Sequence, residues 1–480
     1  MISNTINRFT DSPIHHNMSP LTLLLIIGLY FLLLLGIGYA GKKHNNNASF
    51  YLGGKQSPWY VVAFGMLGAS LSGITFVSVP GMVMQSGYTY MQLVVGFSLG
   101  YLLVAHVLLP LYYKLQVTSI YQYLGQRFGT TSQKTGSFYF LLSRTLGAGI
   151  RLYAAALILG HMVFQPLGVP FPLTIAIWMG IIYLYTSQAG IRTIVWTDAL
   201  QTLCILVALF LLLWESSSQL EAFPWQIYSY TQWDWVPKNN FFKWVISGMF
   251  ITLTMTGLDQ DMMQKNLSCK TLRDAQKNMY CYGFSFIPVN LAFLFLGACL
   301  VMLLQQQGIT LPAASDQLVT TAIESGFFSP VAVLLFTLGI VAATCSSSDS
   351  ALISITTAIN IDFLPPSNAK TSEKRRKITH ACVCLGFILL LWGFYYIGNQ
   401  NLLDTLFNIA SYTYGPLLGL FTFGLFTRYK VHDKWVPVVA LAAPICCLLL
   451  QWITHNALGY ELLLLNGFIT FVGLLLIKKS

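Results

Sequence analysis

From Ala342 to Ser350 the chain reads Ala-Ala-Thr-Cys-Ser-Ser-Ser-Asp-Ser, inside an otherwise apolar run from Pro330 to about Ile361. That run is long enough to cross a bilayer. A carboxylate at the middle of a spanning helix costs roughly 2.5 to 3.5 kcal/mol on the lenient insertion scale, and residues placed there usually face an ion path, a substrate path or a polar cavity. On a helix Ala343, Ser346, Ser347 and Ser350 follow i, i+3, i+4, i+7, while Ser346, Asp349 and Ser350 repeat the spacing slightly around the cylinder. One face therefore presents a column of oxygens, the donor type a hard monovalent cation takes. The bland reading of each serine alone is a bond back to a helix carbonyl or to a neighbouring helix. Ser348 and Thr344 lie off the stripe and are read as packing residues.

A second irregular stretch runs Gly65-Met66-Leu67-Gly68-Ala69-Ser70-Leu71-Ser72-Gly73-Ile74-Thr75-Phe76, with Pro80-Gly81 just beyond. Glycine, hydroxyl and β-branched residues at this density, followed by proline, suit a helix interrupted midway. Small-residue packing between helices explains the same stretch equally well. Further on, Arg144 and Arg151 stand seven apart in Ser143–Arg151 and share one helical face. Arg144 is close enough to a helix end to snorkel to water. Arg151 is too deep for that and requires an acceptor, either on the protein or on a solute.

The elements that must position these groups follow from composition. At 55% hydrophobic and 9% charged residues, with mean hydropathy +0.64, the chain is an all-α, polytopic membrane protein. Apolar windows of spanning length fall at about 21–41, 58–84, 89–113, 137–166, 171–187, 195–214, 241–258, 279–305, 328–358, 379–397, 403–426, 436–455 and 462–477. The spacing predicts about thirteen transmembrane helices and no soluble domain.

Basic residues set the orientation, since short cytoplasmic loops hold Lys and Arg. An outside N-terminus puts Lys42, Lys43, Lys55, Lys114, Arg127, Lys134, Arg192, Lys265, Lys270, Arg273 and Lys277 inside, with the 370–377 cluster, Arg428, Lys430, Lys434, Lys478 and Lys479. Only Arg8, Lys238 and Lys243 then fall outside. The net charge of +10 is a topogenic signal spread over loops, with no clustered nucleic-acid footprint. The first twenty residues show no signal-peptide n-region or cleavage pattern, so the first helix is expected to be retained. Nine cysteines without CxxC or His-spaced sets read as free thiols. With no HExxH, no paired catalytic His/Cys and no phosphate loop, the chain is not expected to be an enzyme.

Five segments taken together resemble the sodium/solute symporter family. They are Ser70–Phe76, Val195-Trp196-Thr197-Asp198-Ala199-Leu200-Gln201, Asp259-Gln260 followed by Gln264-Lys265, Ser346–Ser350, and Ala410-Ser411-Tyr412-Thr413-Tyr414-Gly415-Pro416. The likeness runs from about residue 20 to 430 in the family's order. It implies the LeuT-type fold, with two inverted five-helix repeats, one extra N-terminal helix and two extra C-terminal helices. The segments would be 1–57 (N-terminus, extra helix and loop), 58–214 (first repeat), 215–240 (extracellular loop), 241–426 (second repeat) and 427–480 (two C-terminal helices). Such transporters bind coupling ions at unwound carbonyls near the midplane.

Matched by motif, the resemblance implies a sodium site built from the carbonyls of Gly68, Leu71 and Ala343 and the hydroxyls of Ser346 and Ser347. Some members, including sodium-coupled sialic acid transporters, use a second sodium site, which here would comprise Asp198, Ser346, Asp349 and Ser350. Asp349 stands where those members resemble a serine. Two carboxylates there suit either tighter ion binding or a proton in the ion's place, because adjacent like charges resist joint ionisation. Asp198 reads equally as a helix-start residue favoured by the dipole. In members that carry acidic sugars, an arginine and hydroxyls of the broken helix hold the substrate carboxylate. The matching residues are Arg151, Ser70, Ser72 and Thr75, and Phe76, Tyr412 and Tyr414 are candidate gate residues. Asp259, Gln260 and Gln264 are expected to form a network at the cytoplasmic end of their helix.

The expected function is sodium-coupled import of a small organic solute, a carboxylate such as a sialic acid or monocarboxylate, across the plasma (inner) membrane, with the C-terminus cytoplasmic. The alternatives are a proton-coupled carrier of the same fold, an importer of a neutral sugar or polyol, and a membrane sensor. A sensor would be expected to append a signalling domain, and only Lys478, Lys479 and Ser480 follow the last window. The sequence leaves the oligomeric state open.

Overall fold

A computed structural model of the chain describes residues 20–40, 47–160, 164–165, 167–220, 231–234, 240–366, 368–397, 402–454 and 461–479. The expectations for segment 1–19 with Arg8, for Lys42 and Lys43, and for much of the 215–240 loop with Lys238 lie outside the described residues. The described residues form nineteen α-helices joined by short 3-10 and π turns, and β structure among them is limited to two isolated bridges. The helices are α1 Pro20–Ala40, α2 Asn47–Leu52, α3 Trp59–Ser70, α4 Gly73–Ser86, α5 Tyr90–Leu103, α6 Leu109–Leu115, α7 Gln122–Arg127, α8 Thr130–Leu159, α9 Phe171–Ala189 and α10 Ile191–Ser218. After them come α11 Phe241–Thr252, α12 Gln260–Leu267, α13 Leu272–Gln306, α14 Leu318–Glu324, α15 Pro330–Ala358, α16 Ala369–Ile397, α17 Leu402–Phe426, α18 Val436–Ile453 and α19 Glu461–Leu476.

Each of the thirteen apolar windows carries helix, as apolar runs without water to satisfy their backbone must. By length and composition, six stretches among the described residues can cross a membrane unaided, or seven if Phe241–Gly257 and Gln260–Leu267 count as one span bent by 67°. Four shorter apolar helices, Leu24–Tyr39, Trp59–Ser70, Phe171–Ser187 and Glu461–Leu476, fall below that length. The run 58–84 is one of those that are not a single span, because it is broken at Leu71.

Two breaks shape the centre of the molecule. At the first, α3 ends at Ser70, Leu71 is extended (φ −83°, ψ 91°), and Ser72 opens α4 through a reciprocal capping box with Thr75. At the second, a π turn over Leu253–Gly257 runs into Leu258, and Asp259 starts α12 by accepting from the N–H groups of Asp261 (2.9 Å) and Met262 (3.4 Å). Short polar side chains at helix starts satisfy orphan amides, so a serine and an aspartate inside apolar runs restart helices where plain apolar residues would have continued them.

Helix α15 is the axis of the assembly, with every residue from Gly339 to Ala358 buried. It packs against α10, α8, α12 and α3, and α10 in turn packs along α3. The α3–α10 approach is close enough to require glycine: a Cβ on Gly68 would meet Thr202 Cβ at 2.9 Å, and one on Gly65 would meet Asp198 Cβ at 2.9 Å. Small residues let the two backbones approach, which brings the first break and Asp198 to the same side of α15.

Candidate ion and solute site

The capping box at the first break determines which backbone oxygens are free. In an uninterrupted helix the N–H of Ser72 would reach the carbonyl of Gly68, and that of Thr75 the carbonyl of Leu71. Here Ser72 N donates to Thr75 Oγ1 (3.2 Å) and Thr75 N donates to Ser72 Oγ (3.3 Å), so both amides are diverted. The amide of Leu71 still closes on Leu67 (3.1 Å). The carbonyls of Gly68 and Leu71 thus lose their regular helical donors, within a break that also leaves those of Ala69 and Ser70 without theirs. Across from them on α15, the Ser347 hydroxyl lies 3.5 Å from the Ala69 carbonyl and 3.2 Å from the Ala343 carbonyl. The break therefore faces the oxygen column of α15.

Ser346, on the same column, donates to Asp198 Oδ1 of α10. Asp198 is fully buried two turns into α10, where it serves no helix start. Its other oxygen pairs with Lys265 Nζ of α12 at 2.7 Å, the lysine being 1% exposed. Turning the Gln201 amide to satisfy both its ends lets it donate to Asp198 Oδ1 and accept from the Tyr30 hydroxyl, each at 3.2 Å. Ser350 donates to the Ser346 carbonyl (2.8 Å) and reaches Asp261 Oδ2 at 3.4 Å. Asp349 accepts from the Tyr185 hydroxyl through Oδ2 (3.0 Å), while its Oδ1 is buried without a hydrogen-bond partner. Asp198, Ser346, Asp349 and Ser350 are accordingly set among α9, α10, α12 and α15. Ser348 and Thr344 bond back to carbonyls of their own helix at 2.7 and 2.8 Å, in keeping with packing roles.

A cavity of about 160 Å³ adjoins the first break, with Ser70, Arg144, Arg151, Tyr101 and Tyr282 among its lining residues. Ser70 Oγ and the Tyr282 hydroxyl are 2.5 Å apart, and Tyr282 continues to the Tyr101 hydroxyl at 2.7 Å. Of the four residues matched to a substrate carboxylate, Ser70 and Arg151 line this cavity. Ser72 and Thr75 are instead committed to each other in the capping box and are not among its lining residues.

Several expectations are corrected by the geometry. Arg144 does not snorkel: its side chain is 10% exposed and pairs with Asp261, and with Asp259 at 3.7 Å. The cause is the second break, which points the acidic start of α12 at α8. Lys265 is likewise no loop charge, because α12 carries it inward to Asp198. Gln260 bonds with the Ile120 amide and Thr118 carbonyl, and Gln264 with the Tyr51 carbonyl and Thr357 hydroxyl, and none of these bonds joins the two into the expected network. Asp259 stands apart from both, accepting from the Tyr414 hydroxyl at 2.7 Å. Phe76 is fully buried against Phe293 and Phe336 and does not line the cavity. Tyr412 is half-buried.

A family model described as the sodium:solute symporter family matches residues 50–431. The chain belongs to that family. Over 420 residues it is 27% identical to the sodium-dependent multivitamin transporter of Oryctolagus cuniculus, covering 83% of this chain and 65% of the relative. Over 429 residues it is 25% identical to the sodium-coupled monocarboxylate transporter 1 of Mus musculus, covering 84% and 67%. The chain thus spans about two thirds of the length of these relatives. Its fold matches the solved structure of a Na+-coupled sialic acid symporter in a substrate-bound, outward-open state, with TM-score 0.77 and 20% identity over 96% of this chain and 99% of the other. At that identity the likeness speaks for the fold, and the fold is the LeuT-type one that the resemblance implies.

For this sodium:solute symporter family member, the residues missed by sequence reasoning are Tyr185, Asp261 and the inward placement of Lys265. A signal for Asp261 and Lys265 was present: Gly257-Leu258-Asp259-Gln260-Asp261 reads as a helix stop followed by a helix start. It was obscured because charges next to an apolar window look like loop residues.

Proposed function

We propose that the chain is a sodium-coupled symporter that imports a small organic anion by alternating access. Sodium would bind at the carbonyls of Gly68, Leu71 and Ala343 and the hydroxyls of Ser346 and Ser347. The observation that carries this reading is the Ser72–Thr75 capping box, which diverts the amides that would otherwise close on the Gly68 and Leu71 carbonyls, opposite the α15 hydroxyls. Neutral oxygens on two helices suit an ion that must bind and then leave as the helices move apart.

The substrate carboxylate would meet Arg151, with Ser70 beside it. Arg144 is held by Asp261 and Asp259, which leaves Arg151 as the guanidinium on the cavity wall suited to a bidentate anion. The cavity's size of about 160 Å³ is below the roughly 300 Å³ at which pockets for drug-sized ligands begin. A compact monocarboxylate fits within that volume, and a monocarboxylate is what one relative is named for. A proton-coupled reading draws support from the buried Asp349 Oδ1, which lacks a hydrogen-bond partner.

We further infer thirteen crossings of the plasma (inner) membrane with the N-terminus outside, inverted repeats over 58–214 and 241–426, and two C-terminal helices in 427–480. The two broken helices, α3–α4 and α11–α12, open these repeats at corresponding places. The test is thermal stabilisation of the purified protein by a panel of monocarboxylates, sialic acids, sugars and amino acids, in sodium chloride and in choline chloride. Stabilisation by a carboxylate only in sodium is expected. Stabilisation by neutral sugars alone, or to the same extent in choline, would overturn the reading.

A further inference from the structure

One of the four residues matched to a second sodium site, Asp198, is already paired with a cation that belongs to the protein. Lys265 extends from α12, the short helix beyond the 67° bend, and its ammonium sits 2.7 Å from Asp198 Oδ2. Asp198 Oδ1 meanwhile takes the Ser346 hydroxyl. The ammonium and the carboxylate are 1% and 0% exposed, so water screens neither. Sodium and ammonium each carry one positive charge and each seek oxygens, so for one carboxylate in a low-dielectric setting they are alternatives. A second cation beside Lys265 would share Asp198 with a like charge at close range. Arg144 supplies no substitute for the lysine, because it is already paired with Asp261 and Asp259.

We propose that Lys265 is a tethered second cation, holding the Asp198 side of the second site so that this symporter binds one sodium ion per cycle. The inference rests on the sodium-coupled reading and assigns its stoichiometry. Lys265 is then a specificity-determining residue for ion coupling. Removing the lysine leaves Asp198 Oδ2 and the unpartnered Asp349 Oδ1, together with the hydroxyls of Ser346 and Ser350. That is an oxygen set of the kind a sodium ion takes.

The experiment counts sodium ions by equilibrium binding of radioactive sodium, the sole probe, to purified protein in lipid nanodiscs at mildly alkaline pH. Wild type is expected to bind one ion per chain, and Lys265→Met to bind two with a steeper saturation curve. Lys265→Arg, which keeps the charge, should remain at one. A purely structural salt bridge would change stability in these variants without adding a site. Two ions on wild type, or a single ion on Lys265→Met, overturns the proposal. Should Lys265→Met not fold, the wild-type count still decides, and the charge-balanced pair Lys265→Met with Asp198→Asn is expected to bind one. A wild type that binds no sodium would sink the sodium-coupled reading itself, an outcome distinct from a count of two.

Discussion

Ser72→Ala separates the capping role of this hydroxyl from a substrate role. Ser72 Oγ accepts the Thr75 amide at 3.3 Å, and that bond keeps the amide away from the Leu71 carbonyl. An alanine at a helix start costs about 1 kcal/mol relative to serine. Without the hydroxyl, the Thr75 amide regains its regular helical acceptor, the Leu71 carbonyl. The sodium ion then competes with that hydrogen bond. The expected penalty of about 1 kcal/mol corresponds to about a fivefold rise in half-saturating sodium. Ser72→Asn, which keeps a good cap, should stay near wild type. Sodium titrations of uptake in proteoliposomes give the half-saturation value, and substrate titrations of the same preparations give KM. A Ser72→Ala protein with unchanged sodium dependence and a raised KM would refute the capping argument and place the hydroxyl on the substrate.

Removing a proposed ligand should have a larger effect: Ser347→Ala and Ser346→Ala are each expected to lose about 1.5 to 3 kcal/mol of ion binding, roughly ten- to a hundredfold in half-saturating sodium, in the same titration. Arg151→Lys keeps the charge but loses the planar fork, so KM for the anion should rise more than the sodium constant does, and equal substrate affinity in the two proteins would count against an anionic substrate. Asp261→Asn leaves Arg144 with only the 3.7 Å contact to Asp259 and should destabilise the protein by about 3 to 5 kcal/mol. Denaturation of detergent-solubilised protein measures that loss, and Arg144→Met in the same chain should recover part of it. Gly68→Ala should fail to assemble, since the added carbon meets Thr202 Cβ at 2.9 Å, and gel filtration of the purified variant would report normal assembly if this is wrong.

Periodicity and hydropathy made the helical class and the oxygen column of α15 legible, because bilayer burial forces both onto the sequence. The interrupted helix near Leu71 was legible as one of two readings, and the Ser72–Thr75 capping box is the reason it breaks. The second break was not read, since the charges of Asp259, Asp261 and Lys265 resemble a loop when helix direction is unknown. Their burial arises from pairing with Arg144 and Asp198, more than sixty residues away in the chain. Such partners are set by how α8, α10 and α12 pack, which local pattern does not encode. The same holds for Ser72 and Thr75: their types fit a carboxylate or a helix cap equally, and only their mutual hydrogen bonds distinguish the two roles.

The most direct test of sodium coupling at the broken helix is concentrative uptake of labelled monocarboxylates into proteoliposomes under an imposed sodium gradient. Each sodium ion entering adds about 2.3 kcal/mol per 100 mV of membrane potential to the driving force. An inward sodium gradient is expected to accumulate substrate above its outside concentration, with collapse on adding a sodium ionophore and a loss of sodium affinity in Ser347→Ala. Equal accumulation with choline in place of sodium, or accumulation driven by a proton gradient alone, would contradict sodium coupling.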